Sequence, residues 1–236
     1  MPIASLHHIT HQFSGKQVLS ELSLDIKANS ITALLGKSGS GKSTILNMIN
    51  GMIRPDSGTV HVFDHNFDYE NASTIRLKIG YAVQQTGLFP HLTIADNIAL
   101  LGKVTGKPAS FMKERTSFLM DIMQLSSQLL PSYPHQLSGG EQQRAGLCRA
   151  FFLQPPLVLM DEPFASLDYK TKQGIYQYLL DFQQQERTSI VLVTHQFEEA
   201  VLLSDEFVWI NEGQIYHQGD TTALKKLERN FKEEKS

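Results

Sequence analysis

Residues 31–50 read ITALLGKSGSGKSTILNMIN, and the order of residue types in that stretch sets the architecture of the whole chain. ITALL is an unbroken apolar run of strand length, the pattern of a strand buried on both faces. It runs directly into the glycine-rich loop GKSGSGKST, residues 36–44. TILNMIN then has helical character and stops at Gly51, before the turn RPDSG. The loop fits the spacing G-x-x-x-x-G-K-[ST], with Gly41, Lys42 and Ser43 in the diagnostic places. Glycines let the backbone curl so that successive N–H groups point inward, and the helix that follows adds the positive end of its dipole. Lys42 supplies a charge for terminal phosphates and Ser43 an oxygen for Mg²⁺. The stretch reads as a triphosphate cradle between a strand and a helix.

On its N-terminal side, SLHHITHQF and LSLDI read as strands joined through Ser14-Gly15-Lys16. On its C-terminal side, TVHVF and KIGYAVQ are further strands, and from about residue 85 to 136 the pattern turns helical, clearest in ADNIALLGK and SFMKERTSFLMDIMQL. A helix from about Gly139 to Leu153, the buried strand LVLMD, a helix over KTKQGIYQYLLDFQQQ, the strand SIVLVTH, a short helix and a hairpin around Asn211-Glu212-Gly213 follow. Strands alternating with helices imply an α/β fold with a mostly parallel sheet covered on both faces. LERNFKEEKS at the end reads as a fraying helix.

Composition narrows the function. The 236 residues carry 41% apolar and 19% charged side chains with a formal net charge of −3, which gives no electrostatic footprint for nucleic acid. No apolar stretch approaches the roughly 18–20 residues that cross a bilayer, and MPIASLHHITHQF lacks a signal-peptide pattern. The single Cys148, in RAGLCRAF, reads as a buried thiol in a reducing compartment. His7, His8 and His11 share one strand without a Cys or acidic partner at ligand spacing, so a metal reading is not favoured, and Trp209 reads as core.

Two further segments carry chemistry. In LVLMDEP a buried strand ends in Asp161, placed to hold Mg²⁺, followed by Glu162, placed to orient and deprotonate a water. In LSGGEQQR, Ser138 and Glu141 form a capping box that opens a helix, yet Gly139 and Gly140 cost that helix about 1 kcal/mol each relative to alanine. Glycines there permit another molecule's phosphate to approach the helix N-terminus.

With GKSGSGKST, LSGGEQQR, LVLMDEP, SLD and the histidine of LVTHQ in this order, the chain resembles an ATP-binding subunit of the ABC transporter family along nearly its whole length. The resemblance implies a P-loop NTPase (RecA-like) core at about 1–85 and 139–236, an N-terminal antiparallel β subdomain and an inserted helical subdomain at about 86–138; no C-terminal regulatory domain is expected, although importers of the quaternary-amine group often carry one. It implies ATP and Mg²⁺ as cofactors. ATP would contact Phe13, Gly36, Lys37, Ser38, Gly39, Ser40, Gly41, Lys42, Ser43 and Thr44, with Ser138, Gly139, Gly140 and Asp168 from a second subunit. Mg²⁺ would be held by Ser43, Gln84 and Asp161, and catalysis would fall to Glu162, His195 and Gln84. Plainer uses stand beside these: His195 can be a packed strand end, Gln84 a surface residue, Asp168 a helix cap and Phe13 a packing group. The departures are Phe13 where Tyr is commoner, Gln196 where Asp is usual, and the order Ala165-Ser166; none removes a phosphate, metal or base group.

The resemblance further implies a head-to-tail dimer, of one chain or of two paralogues, around two ATP molecules. Its partners would be integral-membrane permease subunits and an extracytoplasmic solute-binding protein, with no nucleic acid, and its place the cytoplasmic face of the inner membrane. KIGYAVQQTGLFPHLTIADNIAL is similar to importer subunits for glycine betaine, choline and related quaternary amines. Exporter or cell-division type motors and soluble non-transport ABC ATPases are the alternatives.

Overall fold

The computed structural model describes residues 1–83, 87–165 and 167–233, with side chains to residue 227. In chain order the elements begin with strands β1 (Pro2–Phe13), β2 (Lys16–Lys27) and β3 (Ile31–Leu35), helix α1 (Lys42–Ile49), strands β4 (Ser57–Val62) and β5 (His65–Asn66), helix α2 (Ala72–Arg76) and strand β6 (Ile79–Ala82). Helices α3 (Ile94–Val104), α4 (Ala109–Ile122) and α5 (Gly139–Phe151) follow, then β7 (Leu157–Asp161), α6 (Tyr169–Glu186), β8 (Ser189–Thr194) and α7 (Phe197–Leu203). The hairpin strands β9 (Glu206–Asn211) and β10 (Gln214–Asp220) and helix α8 (Thr221–Glu233) close the chain.

The chain forms two compact units, residues 1–76 with 189–236 and residues 77–188. In the first unit β1 pairs antiparallel with β2 and β4, and β4 with β5. β2 alternates buried and exposed residues, as a strand covered on one face must. β3 is buried at all five positions and lies between β8 and β9, parallel to both. β10 pairs antiparallel with β9. Ala33 and Leu35 of β3 share a core cluster with Ala200, Phe207 and Leu224, and Phe197 and Trp209 pack against it. Trp209 is therefore a half-buried flank of this core.

In the second unit β6 and β7 pair in parallel, Ala82 opposite Met160. Its helices start on side-chain caps where the sequence offers them. Thr93 accepts from Asp96 N–H, Ser138 from Glu141 N–H and Asp168 from Thr171 N–H. The Arg115 guanidinium lies buried between the rings of Phe118 and Phe182, donates to the carbonyls of Phe151 and Phe152, and pairs with Glu186 at 3.2 Å. Cys148 is fully buried with its thiol directed at Leu119 O, and burial raises its pKa. β5 and α2 have no counterpart in the sequence reading, because elements of two and five residues are too short to show a period. Among the described residues no helix is long and apolar enough to cross a membrane, and no group of three or more His, Cys, Asp or Glu is placed to hold a metal.

Candidate functional site

In the first unit the phosphate loop leaves the buried end of β3. Gly36, Gly39 and Gly41 have φ of 150°, 77° and 107°, values that only glycine adopts without strain. Space demands the same residue type at both ends of the loop. A Cβ on Gly36 would lie 2.2 Å from Ile210 O, and one on Gly41 would lie 2.7 Å from Leu19 Cδ2. The Lys42 side chain, 4% exposed, turns back into the loop and donates to the carbonyls of Gly36 (2.8 Å) and Lys37 (2.7 Å). Ser40 is buried beside it, its Oγ 3.4 Å from Lys42 Nζ. Lys37, Ser38, Gly39 and Ser43 are exposed and Thr44 is half-buried. The N-cap of α1 is Gly41, which has no side chain to satisfy the first N–H groups of the helix, and no acidic residue occupies the first turn. Those groups are left to bind an anion.

His195 arrives at the same end of the sheet. Leu35 of β3 is in register with Thr194 of β8, so the chain leaves the two strands side by side at Gly36 and His195. His195 is exposed. The turn beneath it is fixed from inside: Thr194 Oγ1 donates to Glu199 Oε2 at 2.6 Å and accepts from Gln196 N–H at 3.1 Å. Phe13 ends β1 opposite Lys16 and is 70% exposed at the hairpin tip. The β1–β2 hairpin abuts the loop through Leu19 against Gly41. It also abuts the β9–β10 turn, where Ser20 N–H donates to Gly213 O and a Cβ on Gly213 would lie 2.3 Å from Val18 O.

In the second unit Asp161 is the last residue of β7 and 7% exposed. The neighbouring strand brings Tyr81, whose hydroxyl burial pushes up to about 12, with the charge of Asp161 adding to the shift. Glu162, half-buried, has a φ of 46°, a conformation that costs a non-glycine residue energy and clusters at functional positions. Its carbonyl accepts from Gln143 Nε2 of α5. The N-terminus of α5 carries the full capping box, with Ser138 N–H and Oγ both donating to Glu141 Oε2 at 2.9 and 2.7 Å. These bonds from Ser138 hold the Glu141 carboxyl below its ordinary range. Ser138 and Gly139 are exposed, and a Cβ on Gly139 would meet nothing within 4 Å, so the fold of this chain gives no reason for that glycine.

Asp168 caps α6, with Thr171 N–H and Oγ1 donating to its two oxygens at 3.0 and 2.6 Å, and these bonds lower its pKa. The plainer reading of Asp168 is thus realised. Gln84 and Ser166 lie outside the described residues. The segment after them is fixed by residues without a sequence signal: buried Asn97 accepts from Phe89 N–H and donates to the carbonyls of Phe89, Leu92 and Thr93. Arg149 donates to Gly87 O and lies over the Phe89 ring. The Arg149 contacts join residues far apart in sequence and the Asn97 bonds close a loop of irregular backbone, so no periodic spacing announces either.

Each unit thus carries a glycine-bearing helix N-terminus, and residues 19–165 match the family model described as ABC transporter. The chain belongs to the ABC transporter family. It is 40% identical to the glycine betaine/carnitine/choline transport ATP-binding protein OpuCA of Bacillus subtilis over 87% of this chain and 54% of that protein. It is 37% identical to the glycine betaine uptake system ATP-binding protein YehX of Escherichia coli over 92% of this chain and 70% of that protein. The chain therefore spans about half the length of the first of these relatives and more of the second. A bacterial ABC transporter cassette solved as a dimer superposes with a TM-score of 0.87 at 28% identity, covering 92% of this chain and 98% of that one. The fold is that of the ABC cassette, a P-loop α/β core with an antiparallel β portion and additional helices.

Proposed function

We propose that the chain binds and hydrolyses ATP as the energising subunit of an ABC importer for a small solute of the glycine betaine or choline type. The observation that carries the nucleotide part is the pair of hydrogen bonds from Lys42 Nζ to the Gly36 and Lys37 carbonyls, inside a loop whose end glycines, Gly36 and Gly41, leave no room for a side chain. A triphosphate entering this loop exchanges those carbonyls for phosphate oxygens, a charge-assisted and therefore stronger set of bonds. The solute class is supported by the names of the relatives, which are import and transport ATP-binding proteins for such compounds.

In this reading residues 36–44 hold the phosphates, Phe13 stacks on the adenine, Glu162 takes the proton of the attacking water and His195 stands by the terminal phosphate. The oxygen donors Ser43 and Asp161 are of the kind Mg²⁺ takes, with Gln84 as the third. When bound, that ion neutralises charge developing on the phosphates. The open N-terminus of α5, with Ser138, Gly139 and Gly140, together with Asp168, faces the nucleotide of a second copy, so that two ATP molecules close a two-fold dimer. Closure and reopening are passed through the helical subdomain, about 86–138, to permease subunits in the cytoplasmic membrane, with a solute-binding protein supplying the cargo.

Affinity purification of the tagged chain from detergent-solubilised membranes, with mass spectrometry of what accompanies it, tests the proposal. A multi-span permease together with a solute-binding protein supports import. A permease of an exporter or cell-division system, or recovery from the soluble fraction with ribosomes or DNA, overturns it while leaving ATP turnover to be judged by phosphate release.

A further inference from the structure

The end of β1 that carries Phe13 is held by a side chain at the point where the sheet stops holding it. The last bridge between β1 and β4 pairs Thr10 with Ser57, and Asp56 N–H donates to Thr10 O at 3.1 Å. Pro55 has no N–H with which to carry the ladder on. On the other side the pairing with β2 slips between Ile9 and His11 and again between His11 and Gln12, and such irregularities bend a strand. The two ladders alone therefore leave the direction of the last residues of β1 loosely set. The Asp56 carboxylate sets it: Oδ2 accepts from Gln12 N–H at 2.7 Å, a charge-assisted bond in the place that a strand carbonyl would take. His11 Nδ1 stands 3.3 Å from the same oxygen on a side chain only 12% exposed, so the imidazole limits where the carboxylate can swing. Phe13, the residue after Gln12, is exposed, and its direction follows the backbone that leads to it.

Asp56 is itself anchored to the phosphate end. Met52 and Ile53 N–H both donate to Asn47 O of α1, and Arg76 donates through Nε and Nη2 to the carbonyls of Asn50 and Gly51. The segment that runs from α1 to Asp56 is thus pinned to the helix that begins with Lys42, and all of these residues belong to the first unit. We propose, on the reading of Phe13 as the adenine platform, that Asp56 is a positioning residue for the nucleotide: by holding Gln12 it aims Phe13 at the base, and so favours ATP over a triphosphate that carries no base. The carboxylate acts through one backbone N–H and ties the base end of the ligand to the helix that serves its phosphate end. A carboxylate needed only for folding would weaken every ligand of the phosphate loop alike, whereas one that aims the aromatic tip affects only ligands with a base.

Titration calorimetry of the full chain with ATP and with inorganic tripolyphosphate, at one Mg²⁺ concentration and over a Phe13–Asp56 double-mutant cycle, tests this. Phe13→Ala is expected to weaken ATP about tenfold or more, the scale of losing an aromatic–base stack, and to leave tripolyphosphate unchanged. Asp56→Ala should weaken ATP about three- to tenfold, leave tripolyphosphate unchanged, and add little once Phe13 is already alanine. Asp56→Asn keeps an oxygen for Gln12 N–H and should recover most of the loss. Three results overturn the role of Asp56 and leave the aromatic platform standing: equal weakening of ATP and tripolyphosphate by Asp56→Ala, a loss from Asp56→Ala that persists in full in the Phe13→Ala background, or ATP affinity unchanged in Asp56→Ala while Phe13→Ala loses it. ATP affinity unchanged in Phe13→Ala instead removes the platform, and the role of Asp56 with it.

Discussion

Thr194 Oγ1 donates to the Glu199 carboxylate at 2.6 Å, and both residues are buried beneath the turn that presents His195. The bond spans the junction between β8 and α7, so it fixes where the imidazole stands without touching any ligand. Thr194→Val is expected to lower kcat for ATP hydrolysis by about tenfold or more with little change in KM, because positional errors near 1 Å are felt in the chemical step. Thr194→Ser restores the oxygen and should restore most of the rate. Steady-state kinetics beside a thermal melt checks this; a melt that falls with kcat intact would show that the pair serves folding alone.

Two glycines make opposite predictions. Gly36→Ala places a methyl 2.2 Å from a backbone oxygen at a φ of 150°, and should cost on the order of 1–3 kcal/mol together with ATP binding. Gly139→Ala meets nothing and adds helix propensity, and should raise stability by up to about 1 kcal/mol. ATP turnover by Gly139→Ala should nonetheless fall. A more stable protein with less activity, seen by chemical denaturation and phosphate release, is the signature of a glycine kept for a partner.

Glu162→Gln should retain ATP binding, accumulate as a dimer in size-exclusion chromatography with ATP and lose turnover about 10²–10⁴-fold, the range for removing a general base. Lys42→Ala should weaken nucleotide binding itself, as fluorescence titration with a nucleotide analogue will read. Unchanged turnover in the first or unchanged affinity in the second contradicts the assigned role.

The Glu141 carboxyl is lowered from 4.5 by its bonds to Ser138. A depressed folded-state pKa means that the carboxylate's stabilisation is complete above the unfolded value and is lost as pH falls through the folded one. Acid titration monitored by circular dichroism should therefore show Glu141→Gln with a shallower loss of stability below about pH 4.5 than the parent chain. Parallel curves would place the acid sensitivity elsewhere.

What the sequence disclosed follows from range. Strand β3, the loop and α1 are contiguous, and an apolar strand followed by glycines and a lysine is legible because each residue's role depends on near neighbours. The Ser138–Glu141 box was equally local. The Thr194–Glu199 bond, the Asn97 clamp on Phe89 and the Arg115–Glu186 pair were not legible, since their partners are chosen by how helices and strands meet. Asp168 shows a third case: its local capping geometry is visible in the fold, whereas a contribution across a dimer depends on a surface that one chain does not contain.

The hairpin packing has a metric consequence. Because Leu19 is wedged against Gly41 and Val18 against Gly213, the Phe13 tip and the phosphate loop belong to one stiff frame and act as the two jaws of a caliper. On the proposed reading a nucleotide would be gauged by its length as much as by its base: a molecule too short to span from the aromatic tip to Lys42 would engage one jaw and leave the other idle.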